Sequence, residues 1–351
     1  MRHAQPRPKA VKQEPSRRCT ILGIASLLSL AGTPRAVQAQ GRVGIIDTHL
    51  HIERDPRRRE SLEAAFVLRA MDSFAIEKAI LTPPPQPPGR TSVYGLSALR
   101  AIAGQQQQRL AFMAGGDRLN PIIQETPPDR ASGNVLRHFT ELAETIAQSG
   151  AAGFSELAVE HFSSNRGGHP YESSAPDHPL LLTLADVAAK HAMPIEIHME
   201  AVPRDMTFPE IRVRGGRNPE ALHGNIAALE RLLGHNQHAR IVWVHAGWDL
   251  TGERTVPLMR RLLDTHANLA MSVKIEGGYR RTQPMMPDGG IKPGWIAMLR
   301  DFPERFVIGS DTFVAEGTEP MEAVRRFVDG LPPDLAGPIA SQNARRLYRL
   351  S

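Results

Sequence analysis

The chain has 351 residues, a length that suits one large α/β barrel and buries a sizeable core without help. Its 41% hydrophobic and 23% charged content excludes collagen, coiled coil and wholesale disorder. The formal net charge of +5 sits at one end: residues 1–39 hold seven Lys/Arg and one acid, and the remaining 35 bases and 36 acids leave the body near neutral, which removes the electrostatic case for a nucleic-acid partner.

In chain order, the first element is an export signal. Arg17-Arg18 precedes an apolar run from Ile21 to Gly32, followed by Pro34 and small residues that place a cleavage site after Ala39. The paired arginines resemble a twin-arginine signal, with the general secretory route as the alternative. The run is shorter than the ~20 residues that cross a hydrocarbon core, and no later segment is longer, so no membrane insertion is expected. Residues 1–39 are thus read as a signal peptide that engages export machinery, and 40–351 as the mature periplasmic or secreted protein. Cys19, the single cysteine, lies inside the signal, so disulfides and thiolate ligands are excluded from the mature part.

Beyond it, short Val- and Ile-rich runs alternate with longer stretches of helical period, the pattern of repeated βα units. Strands are predicted at 43–50, 77–82, 109–114, 152–157, 194–199, 240–246, 268–274 and 305–310. Helices are predicted between them, among them 60–71, 97–108, 135–148, 180–191, 225–234, 255–266 and 293–302. Eight such units predict a single (β/α)8 TIM barrel, an α/β fold. The longest loops, 83–90, 161–177, 201–220 and 276–290, all follow strands, on the face where barrels build active sites.

That face collects polar residues. Strand one ends GIIDTHLH, whose period of two puts His49 and His51 on one side and Thr48 and Leu50 on the other. Strand four ends with Glu156, strand five with His198, strand six with His245 and strand eight with Asp311. By the same parity Ile197, Val244 and Ile308 face the helices, while His198, His245 and Asp311 face the barrel axis. Six polar groups converging without compensation would cost several kcal/mol, and a bound cation is the economical way to organise them.

The ordered set of H-x-H after strand one, a carboxylate after strand four, His after strands five and six and Asp after strand eight resembles the amidohydrolase superfamily of metal-dependent barrel hydrolases. The closing segment IASQNARRLYRL resembles the C-terminal helix of its amidohydrolase-related branch, which includes decarboxylases. The resemblance implies that His49, His51, Glu156, His198 and Asp311 ligate metal. It implies that His245 binds a second ion or polarises the substrate, and that one or two ions are bound. Imidazole and carboxylate donors suit Zn2+ first, then Mn2+, Fe2+ or Co2+. Bound water, its pKa lowered from about 16 toward about 7, would attack, with Asp311 as general base and then general acid.

The expected function is hydrolysis of a small-molecule amide, ester, lactone or phosphoester. The alternatives are a metal-dependent decarboxylase of the same fold, separated from it by loss of carbon dioxide, and a binding protein without turnover. Arg204, Arg214, Trp248 and Arg280, in loops on the active face, are the candidates for holding a small, anionic substrate. Lys274 and Glu276 read as a structural pair, and His138, His191, His235, His238 and His266 as helix-associated histidines without a ligand role. The sequence leaves a homo-oligomer open.

Overall fold

The computed structural model describes residues 42–52, 63–90, 95–163, 169–209, 217–276 and 281–351. The export signal expected in residues 1–39 lies outside them. The eight predicted strands are present as β1 (Ile45–His51), β2 (Ile76–Leu81), β3 (Leu110–Phe112, resuming at Ala114–Gly115), β4 (Phe154–His161), β5 (Pro194–Met199), β6 (Arg240–Ala246), β7 (Leu269–Val273) and β8 (Phe306–Ile308, resuming at Thr312–Phe313). The helices that follow them in turn are α1 (Ala64–Ser73), α2 (Leu96–Gln105), α3 (Gly133–Ala147), α4 (Pro179–His191), α5 (Ile226–His235), α6 (Val256–Thr265), α7 (Pro293–Asp301) and α8 (Glu319–Asp329).

Pairing between these strands is parallel, and the break at Met113 closes the sheet on itself. The first half of β3 pairs with β2 (Ala79↔Leu110) and the second with β4 (Ala114↔Phe154), while β1 pairs with β8 (Asp47↔Ile308). A closed barrel leaves no open edge. β4 runs four residues past its predicted end, because a short strand, Glu172–Ser173, pairs with it antiparallel and prolongs the ladder.

Two apolar layers hold the barrel. Outward-facing Ile45, Ile197, Ile241 and Trp243 pack under the helices, while Ile46, Ile80, Val242, Val244 and Val307 fill the interior. The C-terminal helix (Asn343–Tyr348) closes the end from which the strands begin. Ala344, Leu347 and Tyr348 join the interior cluster, and Asn343 Nδ2 donates to the carbonyl of Phe306 at 2.8 Å. Among the described residues no helix is long and apolar enough to cross a membrane.

One parity expectation is corrected. Val244 faces the interior and not the helices, so strict alternation would turn His245 outward. His245 reaches the axis because its backbone adopts φ 65° and the β6–β7 register shifts between Trp243 and Ala246. Asp311 likewise has φ 57°, after β8 breaks at Gly309. Left-handed conformations at two non-glycine residues of one strand-end cluster are strain held by the surrounding structure, a feature that gathers at functional sites.

Candidate metal centre

At the end of β1 the Nε2 atoms of His49 and His51 approach to 3.2 Å. Each ring is oriented from behind: His49 Nδ1 meets Glu196 Oε2 at 2.7 Å, and His51 Nδ1 meets the Thr82 carbonyl at 2.7 Å. A carbonyl or carboxylate oxygen only accepts, so both Nδ1 atoms donate, and in their neutral forms both rings would present Nε2 lone pairs to an ion. Asp47 ties β1 to the end of β8. Its Oδ1 accepts from the amides of His49 (3.2 Å) and Ser310 (2.9 Å), and its Oδ2 accepts from Ser310 Oγ at 2.6 Å. Gly309 is required there, since a Cβ at that position would lie 2.8 Å from that of His49.

Two carboxylates complete the set. Glu156 Oε2 lies 3.6 Å from His49 Nε2 and 3.8 Å from His51 Nε2, and Asp311 Oδ1 lies 3.8 and 3.0 Å from the same atoms. Tetrahedral ligands at bond lengths of about 2.0–2.2 Å stand about 3.3–3.6 Å apart, so these spacings fit a divalent ion. Two overlapping donor groups result: His49, His51 and Asp311; and His49, Glu156 and His245.

The electrostatics have the same sense. Burial opposes ionisation of Glu156, yet His49 and the hydrogen bonds from His198 and His245 hold it well below the usual carboxylate range. Burial equally opposes ionisation of Asp311, which Lys274 and His245 keep well below its ordinary value. Burial works against charge on His198, but Glu156 and Glu200 raise it to about 9. His245 is pushed down to about 3, chiefly by burial. It is therefore neutral, and with Nε2 at 3.1 Å from Glu156 Oε1 its Nδ1 is left buried without a hydrogen-bond partner. The carboxylates of this buried cluster stay ionised by drawing protons onto imidazoles and by pairing with Lys274, and a bound cation would take the place of those protons.

Not every expected residue joins this set. His198, expected as a ligand, belongs to neither donor group: its Nδ1 is committed to Glu156 Oε1 at 2.8 Å, and its Nε2 is 3.9 Å from Glu200 Oε1. Here it orients Glu156. Trp248 stands at the site, with its ring centroid 6.0 Å from His198 and 5.8 Å from His245. Arg204 is solvent-exposed, and Arg214 and Arg280 lie outside the described residues. His191 and His235 pair with Glu144 and Asp186 on the helical layer, away from the site.

The structure adds three residues. Lys274 pairs with Glu276 at 3.0 Å as expected, but its Nζ also meets Asp311 Oδ2 at 2.6 Å and lies 4.1 Å from the Trp248 ring centre. The oxygen of Asp311 that would take a proton therefore already accepts from an ammonium. Glu196, fully buried, supports His49, and Tyr348 OH donates to Glu196 Oε1 at 2.6 Å. A charged residue two positions before His198 inside PIEIH was a legible signal for Glu196; nothing local marks Tyr348.

No family model matches the chain, and no curated protein matches it. Solved structures do. 2,6-Dihydroxybenzoate decarboxylase from Rhizobium is 16% identical, with a TM-score of 0.51 over 87% of this chain and 98% of its own. An uncharacterized TIM-barrel protein from Bordetella bronchiseptica is 14% identical, with a TM-score of 0.50 over 87% and 98%. Amidohydrolase 2 from Bifidobacterium longum subsp. infantis is 12% identical, with a TM-score of 0.44 over 88% and 100%. The chain thus shares the TIM-barrel fold of the first two.

Proposed function

We propose that the chain is a metal-dependent hydrolase of the amidohydrolase superfamily, acting on an amide, ester, lactone or phosphoester of a small molecule. The observation that carries this reading is the convergence of His49 Nε2, His51 Nε2, Glu156 Oε2 and Asp311 Oδ1 at spacings of 3.0–3.8 Å. Imidazole and carboxylate donors without thiolate suit Zn2+ first, with Mn2+, Fe2+ and Co2+ as competitors. Such an ion supplies Lewis-acid polarisation and a water acidic enough to ionise near neutrality.

The chain's own groups do the rest. His49 and His51 are locked in the donor tautomer by Glu196 and the Thr82 carbonyl. Glu156, with its other oxygen held by His198 and His245, would be a ligand whether one ion or two are bound. Neutral His245 faces Glu156 and Asp311 with its Nε2, at 3.1 and 4.0 Å, and would ligate an ion or polarise the substrate through that nitrogen. Asp311 accepts the proton from the attacking water on Oδ2 when Lys274 Nζ yields that lone pair, and returns it to the leaving group.

A second reading, a decarboxylase, is favoured by Lys274: a buried ammonium on Asp311 weakens the base and offers charge to a substrate carboxylate. The decarboxylase of similar fold adds only fold-level analogy. The test is metal analysis of the mature protein, followed by assay on chromogenic esters, lactones, amides and phosphoesters and on hydroxylated aryl carboxylates. Stoichiometric metal with metal-dependent water uptake supports the hydrolase, and carbon dioxide release selects the second reading. Metal with neither turnover points to a binding protein, and a protein that binds no divalent ion sinks all three. We further propose export through residues 1–39; a reporter fused to residues 1–45 is expected outside the cytoplasm and cut near Ala39, and an uncut, retained fusion refutes it.

A further inference from the structure

Beneath the donor atoms a buried hydrogen-bonded line runs down the barrel interior to its closed end. Tyr348 OH donates to Glu196 Oε1 at 2.6 Å, and His49 Nδ1 donates to Glu196 Oε2 at 2.7 Å. Tyr348 is 2% exposed, and Glu196 and His49 are fully buried. The three come from the C-terminal helix, β5 and β1, and the pairs are 152 and 147 residues apart in sequence. Apart from Thr48, the residues around the phenol include the apolar Ile46, Val242, Val244 and Val307. A carboxylate placed there without hydrogen bonds would carry a penalty of several kcal/mol, so both contacts are structural necessities for Glu196.

We infer that Tyr348 is a positioning residue for the metal centre, acting through Glu196 to fix the ring of His49. The inference rests on the metal-dependent reading above. A glutamate carboxyl turns about a soft terminal torsion, and a single contact to His49 would leave it free to swing. With Oε1 pinned by the phenol, Oε2 is held on His49 Nδ1, the proton stays on that nitrogen, and the Nε2 lone pair is kept toward His51, Glu156 and Asp311. Partners behind a ligating imidazole set both its orientation and its basicity, and their loss commonly costs 10–100-fold in metal affinity. The C-terminal helix is thereby part of the centre as well as the plug of the barrel, and a rigid aromatic side chain bridges the distance between them.

The test uses Co2+ as the probe, titrated into the metal-free mature protein, with affinity from chelator competition and ligand geometry from the visible absorption bands. Tyr348→Phe keeps the ring and its packing and deletes one oxygen. It is expected to weaken Co2+ binding about 10-fold or more and to shift the bands. Glu196→Gln is expected to weaken binding at least as much. In the Glu196→Gln background Tyr348→Phe should add almost nothing, because the phenol then has no carboxylate to act through. Wild-type affinity and bands in Tyr348→Phe, or losses that multiply independently in the double variant, overturn the inference while leaving the metal reading intact. A wild-type protein that binds neither Co2+ nor Zn2+ overturns both, and is recognised before any variant is made.

Discussion

Replacing Lys274 by Met should move stability and metal affinity in opposite directions. Met keeps an unbranched stem of similar length and removes the ammonium. What is lost is a contact of 2.6 Å to Asp311 Oδ2 and one of 3.0 Å to Glu276, at a side chain 7% exposed. Breaking a buried pair from one side costs about 3–5 kcal/mol, mostly as the penalty of the stranded partner. Asp311 is 14% exposed and still has His51 on its other oxygen, which places the cost near the lower limit, about 3 kcal/mol. For the folded unit Arg42–Ser351, an unfolding entropy of roughly 2.1 cal/mol/K per residue turns this into a Tm lower by about 5 °C in metal-free protein. A divalent ion neutralises the same carboxylate, so metal-saturated Lys274→Met should recover most of that loss. By linkage, full recovery corresponds to metal binding tighter by about 100-fold. Calorimetry with chelator and with excess Zn2+, and chelator competition at one temperature, read the two sides of the cycle independently. An equal or larger loss of Tm in the metal-saturated variant would show that Lys274 assists the ion, and the reasoning would fail.

His49→Ala should lose bound metal, since it breaks both donor groups, whereas His198→Ala should keep more of it because His198 reaches the donor groups through Glu156; equal metal loss in the two would restore His198 as a ligand. Asp311→Asn is expected to lower kcat by ~10²–10⁴ with metal content little changed. Because Lys274 keeps Asp311 ionised far below neutrality, the acidic limb of the pH profile should not be that carboxylate's own titration, and near-normal kcat in the variant would place the base elsewhere. Away from the centre, burial pushes Glu172 up from 4.5 to about 7, even though the Asn120 amide donates to it. A folded value above the unfolded one makes stability greatest below pH 4.5 and lost as pH rises toward 7, by up to about 3 kcal/mol. Glu172→Gln should remove that slope; unfolding curves for the two proteins that run parallel from pH 4.5 to 7 would contradict it.

The eight units and the ends of β5 and β6 were readable from sequence because strand and helix periods are local properties of the chain: 194–199 and 240–246 coincide with the observed strands. The pairing of His49 with His51 was readable for the same reason, as an i, i+2 relation inside one strand. The placement of Glu156 and Asp311 near them followed from strand order, since a parallel barrel brings its strand ends to one mouth.

Tertiary structure decided what periodicity cannot encode. His245 faces inward through left-handed backbone and a register shift that override alternation, while Asp311, inward by alternation, also holds a left-handed backbone beside Gly309 and the Asp47–Ser310 clasp. His198 was assigned by position, yet its place is set by competition for Glu156, an acceptor 42 residues away. Lys274 looked like half of a local pair because Glu276 is two residues off, while its shorter contact is with Asp311 across the β7–β8 boundary. Most remote of all, Tyr348 meets Glu196 only because the C-terminal helix folds back under the barrel, a contact between residues 152 apart that no window of local sequence contains.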